Sequence, residues 1–203
     1  GLDVRALQKG RMKKLRQKMQ IIFQDPYESL NPKQSIYDII AEPLVVNNIG
    51  VNEADREKRV MKALEDAGLR PPKDYMWRYP HEVSGGQRQR VGIAGALVLD
   101  PEFLVADEPV SMLDVSIRSE ILKLMLDLRD QKGLSFLFIT HDLGVAYVFS
   151  DRIGIMYLGK IVELGPTEEV VKHPRHPYTK ALISVVPTPD PEMRREKIIL
   201  KGE

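Results

Sequence analysis

Short unbroken apolar runs alternate along this chain with longer segments in which apolar residues recur every three or four positions. The runs read as strands and the segments as helices. Residues 20–24 form a short strand opening into a loop, because Asp25-Pro26 and Asn31-Pro32 both disfavour helix just before the proline. Residues 35–42 begin a helix capped by Ser35. Residues 52–67 make a stronger one, with Asn52 as cap, acidic residues in the first turn and Gly68 at the stop. Pro71-Pro72 and Tyr79-Pro80 bracket Trp77, which reads as a packing anchor. From Ser84 a helix runs to about Leu99, with Val91, Ala94, Leu97 and Val98 on its buried stripe. After Pro101, residues 103–106 are a continuous apolar run of the kind a central parallel strand shows; residues 116–129 are an amphipathic helix and residues 135–140 a second such strand. Residues 152–157 and 161–164 flank a turn at Leu158-Gly159-Lys160 and predict a hairpin. Strands alternating with helices predict an α/β fold with a parallel sheet, whose ligands bind beyond the carboxyl ends of the strands. No internal repeat interrupts this order. Towards the end prolines accumulate, among them Pro187, Pro189 and Pro191, and roughly the last fifteen residues read as a loosely held tail.

Composition narrows the picture. A hydrophobic content of 43% in 203 residues is enough for a buried core. Thirty basic against 29 acidic residues leave a net charge of +1, so bulk charge offers no reason to expect nucleic acid as a partner. The local exception is the stretch 5–18, rich in Lys and Arg and without an acidic residue. It reads as a solvated helix face with Leu7, Met12, Leu15 and Met19 turned inward, a basic arm near anionic lipid being the alternative. The absence of cysteine excludes disulfides and Cys-ligated metal, and fits a reducing compartment. No apolar run approaches the roughly 18 residues that span a bilayer, and no signal peptide is present.

The candidate chemistry lies in a few words. Ser84-Gly85-Gly86-Gln87 at a helix start offers backbone N–H groups to a phosphate, and the strand ending in Asp107-Glu108 offers one carboxylate to a metal and a second to a water. That pairing points to ATP. A bland reading of Asp107-Glu108 is a helix-start acidic pair, but carboxylates placed directly after a buried strand are costly without a task. Residues 154–160 have the glycine spacing and lysine of a phosphate loop, yet Ile161 cannot ligate magnesium and the intervening residues are bulky, so the hairpin is preferred. His173 and His176 lack acidic or Cys companions and read as loop residues; His81 reads as structural.

The order of the whole set resembles the ATP-binding-cassette ATPases, and specifically the branch that powers peptide import. Carrying the resemblance are Ile22-Phe23-Gln24-Asp25-Pro26-Tyr27 with Ser29-Leu30-Asn31-Pro32, then Tyr79-Pro80-His81-Glu82-Val83-Ser84-Gly85-Gly86-Gln87, Asp107-Glu108-Pro109-Val110-Ser111, and His173-Pro174-Arg175-His176-Pro177-Tyr178-Thr179. It implies a P-loop NTPase-like parallel sheet core, present in part, with a helical subdomain and a short C-terminal extension. The expected segments are 1–42 with the Gln24 loop, 43–96 as the helical subdomain ending in the signature helix, 97–165 as the α/β catalytic core, and 166–203 as the peptide-importer extension. By the same resemblance, Asp107 and Gln24 hold Mg²⁺, Glu108 is the base that orients or deprotonates the attacking water, and His141 is the switch histidine that hydrogen-bonds the γ-phosphate. Ser84, Gly85, Gly86 and Gln87 bind the γ-phosphate of an ATP held on a partner subunit, and Asp114 crosses the dimer interface. Val83 replaces the commoner Leu or Phe, and Gly95 stands where the family usually has arginine. The implied partners are a second cassette subunit, identical or not, integral membrane permease subunits and, indirectly, a peptide-binding protein. The implied location is the cytoplasmic side of the membrane, peripherally.

A glycine-rich loop of the form G-x-x-x-x-G-K-[ST] is not found in these residues. In the family it precedes the Gln24 segment, so the chain is read as the C-terminal part of a cassette ATPase and is expected to be inactive alone. Two other readings remain: a non-catalytic module donating its Ser84–Gln87 word to a full-length partner, and a soluble cassette ATPase acting on DNA or ribosomes, against which the near-neutral charge argues.

Overall fold

The computed structural model describes residues 6–185, and the proline-rich tail expected from sequence lies outside them. The chain divides into two compact units, the first reaching to Ile139 and the second beginning at Thr140. This division falls inside the segment 97–165 expected from sequence.

In the first unit, helix α1 (Lys9–Lys18) leads into strand β1 (Met19–Ile22), then helices α2 (Ile36–Val46), α3 (Glu53–Asp66) and α4 (Gly85–Leu97), strand β2 (Phe103–Asp107), helix α5 (Val115–Lys132) and strand β3 (Ser135–Ile139). The strands form one parallel sheet in the order β1-β2-β3, with Ile21 opposite Val105 and Val105 opposite Leu137. Its two crossovers are helical, as parallel neighbours require. Strand β2 is central, as its unbroken apolar run predicts. Strand β3 is less enclosed: none of its residues is buried, and on one face of the sheet Ile21, Leu137 and Ile139 are 42%, 51% and 44% exposed. An apolar run marks a strand; which neighbours cover it is decided elsewhere in the fold.

Local chemistry explains the helix starts. Ser35 and Asp38 form a reciprocal capping box on α2, Asn52 accepts from the Asp55 N–H on α3, and Ser84 and Gln87 form a second box on α4. The α2–α4 helices close on one another through Ile36, Ile40, Leu44, Val60, Leu64 and Ile93, all fully buried, and α4 also packs against β1. Met76 fills the place expected of Trp77. Met76 is fully buried, whereas Trp77 is 61% exposed with its ring tilted against Tyr37 at 5.1 Å. The slim thioether fits the closed helix junction, and the indole is left on its rim. Helix α1 buries no residue completely; Met12, Leu15 and Met19 are half-buried.

The second unit contains helix α6 (Leu143–Phe149), the antiparallel pair β4 (Arg152–Tyr157) and β5 (Lys160–Pro166), and helices α7 (Thr167–Lys172) and α8 (Pro177–Ser184). Leu143, Ile153, Ile155, Val170 and Ile183 make its core. Leu158 and Gly159 both take positive φ, 47° and 75°, which is the mirror-image two-residue turn that suits the twist of a hairpin. Gly154 and Gly159 therefore belong to a strand and its turn.

Candidate active site

Strand β1 ends at Ile22, so Phe23 and Gln24 leave the sheet at its carboxyl edge, next to the end of β2. There the Gln24 side-chain amide donates to a Glu108 carboxylate oxygen at 3.1 Å, joining two positions 84 residues apart. Asp107 is the last residue of β2 and pairs in register with Ile139. Glu108 follows with φ of +42°, a left-handed backbone that disfavours any residue with a Cβ. Its neighbours hold it there: its N–H donates to the Ile139 carbonyl at 2.9 Å, and its carbonyl accepts from both the N–H and the hydroxyl of Ser111, at 3.1 and 3.0 Å. The sequence run that makes β2 thus ends in a fixed kink, which aims the Glu108 side chain away from the strand's alternation.

The Ser84–Gln87 word forms the start of α4 and stands at the surface. Ser84 accepts from the Gln87 N–H at 3.3 Å while the Gln87 side chain accepts from the Ser84 N–H at 2.9 Å. The N–H groups of Gly85 and Gly86, first in the helix, have no intrahelical acceptor to reach. A serine that accepts in this way still has its own proton to donate. Tyr27 and Ile117 approach the two glycines, and the Gln89 side chain, 2% exposed, reaches the Phe23 carbonyl at 3.5 Å. Asp114 occupies the cap position of α5 but makes no capping bond with its side chain. His141 lies two residues past β3, at the start of the second unit and ahead of α6.

The structure therefore brings Gln24 to Glu108, next to Asp107 in the chain, and supports the helix tip with a separate set of contacts. Sequence reasoning gave no role to four supporting residues: Tyr27, Gln89 and Ile117 about the start of α4, and Ser111 at the Glu108 carbonyl. Gln89 had a visible signal, since it shares helical spacing with Ile93 and Leu97 and so puts an amide on an apolar stripe. In the second unit, His176 is more than a loop residue. Its Nδ1 accepts from the Tyr178 N–H at 3.1 Å and caps α8, while the Glu163 carboxylate accepts from the N–H groups of Arg175 and His176 at 2.9 and 3.0 Å.

The donors at the sheet edge are oxygens of Asp107, Glu108 and Gln24. Among the described residues no group of three or more His, Cys, Asp or Glu could hold a metal unaided. Such a set fits a hard cation that draws most of its ligands from phosphate and water.

The chain is similar to known proteins in sequence and in fold. The family model described as ABC transporter matches residues 2–111, and one described as Oligopeptide/dipeptide transporter, C-terminal region, matches residues 162–203. The chain is 54% identical over 181 residues to the oligopeptide transport ATP-binding protein OppF of Bacillus subtilis, covering 89% of this chain and 59% of that protein. It is 53% identical over 183 residues to OppF of Streptococcus mutans, covering 90% of this chain and 59% of that protein. It thus spans about six-tenths of the length of these relatives. Among solved structures, the dimeric post-hydrolysis ATP-binding cassette MJ0796 bound to ADP and Pi superposes with a TM-score of 0.68 at 29% identity, covering 80% of this chain and 68% of that one. CbiO1 of Clostridium perfringens, part of the ABC transporter complex cbiONQ, gives 0.70 at 31% identity, covering 82% and 64%. With one family model running through β1, helices α1 to α4 and the central strand β2, and matching more than half of its length, the chain belongs to the ABC transporter family.

Proposed function

We propose that this chain is the part of an ATP-binding, ATP-hydrolysing subunit that energises peptide import, working from the cytoplasmic side of a membrane beside permease subunits and a second cassette, like or unlike itself. The observation that carries the reading is the Gln24–Glu108 hydrogen bond at the carboxyl edge of a parallel sheet, with Glu108 locked in a left-handed backbone. Strained, over-determined residues gather where chemistry needs fixed geometry. The names of the relatives and the match of residues 162–203 supply the peptide. No helix among the described residues is long and apolar enough to cross a membrane.

Asp107 and Gln24 would hold Mg²⁺, which when bound neutralises charge on the phosphates. Glu108 orients the attacking water and takes its proton, and its hydrogen bond to Gln24 ties that water to the loop. His141 donates to the γ-phosphate oxygen as charge develops. The Ser84 hydroxyl and the Gly85 and Gly86 amides face the terminal phosphate of ATP on the second cassette, where the positive end of α4 favours an anion. Asp114, whose side chain makes no capping bond with its own helix, would act across that same interface.

The test uses the full-length polypeptide that contains this chain, assembled with its membrane partners. Glu108→Gln is expected to lower ATP turnover by about 10²- to 10⁴-fold, the usual contribution of a positioned base. Turnover close to that of the unmodified protein removes Glu108 from the chemistry and the reading with it.

A further inference from the structure

Both glycines of the α4 tip face a side chain of their own chain. A Cβ on Gly85 would stand 2.8 Å from the Tyr27 hydroxyl oxygen, and a Cβ on Gly86 would stand 2.6 Å from Ile117 Cγ2. Neither separation is one that a real Cβ keeps, so a side chain at either position would require Tyr27 or Ile117 to shift. Neither glycine has positive φ, so backbone freedom does not account for them. Tyr27 is 56% exposed, and a second residue of α4 also touches it. The Arg88 guanidinium carbon lies 4.3 Å from the centre of its ring, and Arg88 is itself aimed by donating to the Pro80 carbonyl at 2.6 Å. The Tyr27 and Glu28 N–H groups both donate to the Asp25 carboxylate, at 2.6 and 3.2 Å, which folds the loop into a tight turn immediately after Gln24. The buried Gln89 adds its contact to the Phe23 carbonyl on the opposite flank of Gln24.

We propose that Tyr27 is a positioning residue that latches the loop bearing Gln24 to the helix tip at residues 84–87, its hydroxyl seated on Gly85 and its ring clasped by Arg88, so that loop and tip move as one body. The inference rests on the reading of Gln24 as part of this chain's own ATP site and of the tip as part of the second cassette's. Through the latch, a shift of Gln24 on engaging its own site repositions the groups that grip the other nucleotide. Ile117, three residues beyond Asp114, lies against the tip at Gly86.

The latch is tested on the whole chain without nucleotide, by hydrogen exchange at residues 24–30 and 84–90. Gly85→Ala drives a Cβ against the Tyr27 hydroxyl and is expected to speed exchange in both segments by about tenfold. Adding Tyr27→Phe, which deletes the one atom the new Cβ meets closely, is expected to return both segments to their original protection. Tyr27→Ala, a change at an exposed residue outside α4, is expected to loosen the two segments together. Exchange that changes in one segment alone, or a Gly85→Ala effect that Tyr27→Phe does not relieve, overturns the proposal. No ATP enters these measurements, so such a result leaves the nucleotide reading standing, while that reading fails separately if Glu108→Gln keeps its turnover.

Discussion

Glu108 carries a backbone cost of roughly 1–2 kcal/mol for a residue with a Cβ in the left-handed region. The Ile139 carbonyl, both donors of Ser111 and the Gln24 amide hold it there. Asp107 and Glu108 are legible in sequence as acids after a strand; the kink between them is not, because it depends on Ile139 arriving in register on β3. A second carboxylate shows the same dependence. Partial burial pushes the Glu163 carboxyl up. The adjacent Thr179 hydroxyl, itself buried without a well-formed hydrogen bond, and the Arg175 and His176 N–H groups together outweigh that and hold it below its ordinary value of 4.5. A carboxyl lower in the folded chain than in the unfolded one stabilises the fold above its unfolded value, and that stabilisation is lost as pH falls through the folded value. The protection of α8 amides, once the intrinsic pH dependence of exchange is divided out, is therefore expected to fall as pH drops below about 4.5. Glu163→Gln should weaken α8 at neutral pH and flatten this acid response; an unchanged response in the variant counts against Glu163 as the anchor.

Helix α4 combines opposing features within one element. Its capping box fixes the start, the stripe of Val91, Ile93, Ala94 and Leu97 fixes the buried face, and Arg90 ties it to its surroundings by donating to the Ala67 carbonyl and to Glu120. Against this stand four glycines at 85, 86, 92 and 95. Those at 85 and 86 are required by close approach, while a Cβ at Gly95 meets nothing within 4 Å. Gly95→Ala is thus expected to stabilise the chain by about 1 kcal/mol, a rise of about 2–4 °C in a thermal melt at this size. A lowered melting temperature would mean that Gly95 has a packing role the structure does not record. The hairpin of β4 and β5 is the plainest case of sequence reading at this scale, since two adjacent left-handed residues settle a turn locally.

Across the whole molecule, the sheet order puts β2 between the strand that delivers Gln24 and the strand that supports Glu108. Long crossovers make this possible: 80 residues of helix and loop separate the end of β1 from the start of β2. The functional consequence follows from the chain's composition of motifs. Within its 203 residues no G-x-x-x-x-G-K-[ST] loop supplies amides and a lysine to its own phosphates. The purified 203-residue chain is therefore expected to hydrolyse ATP no faster than background in the presence of Mg²⁺, as read by phosphate release. Robust turnover by the chain alone would contradict the division of labour proposed for Asp107, Glu108 and the α4 tip.

The sequence alone determined what is local: helix caps at Ser35, Asn52 and Ser84, the central strand at residues 103–106, the hairpin turn, and the family through its words at Gln24, Ser84 and Asp107. These depend on propensities and spacings within a few residues. Only the tertiary structure decided that Trp77 lies on a rim while Met76 is buried, that β3 leaves Leu137 and Ile139 exposed, that Glu108 is held in a left-handed kink, and that Tyr27 and Ile117 occupy the seats at Gly85 and Gly86. Each of these is a contact between segments far apart in the chain, and which distant side chain fills a given space depends on how the helices and strands pack, a quantity no local window contains.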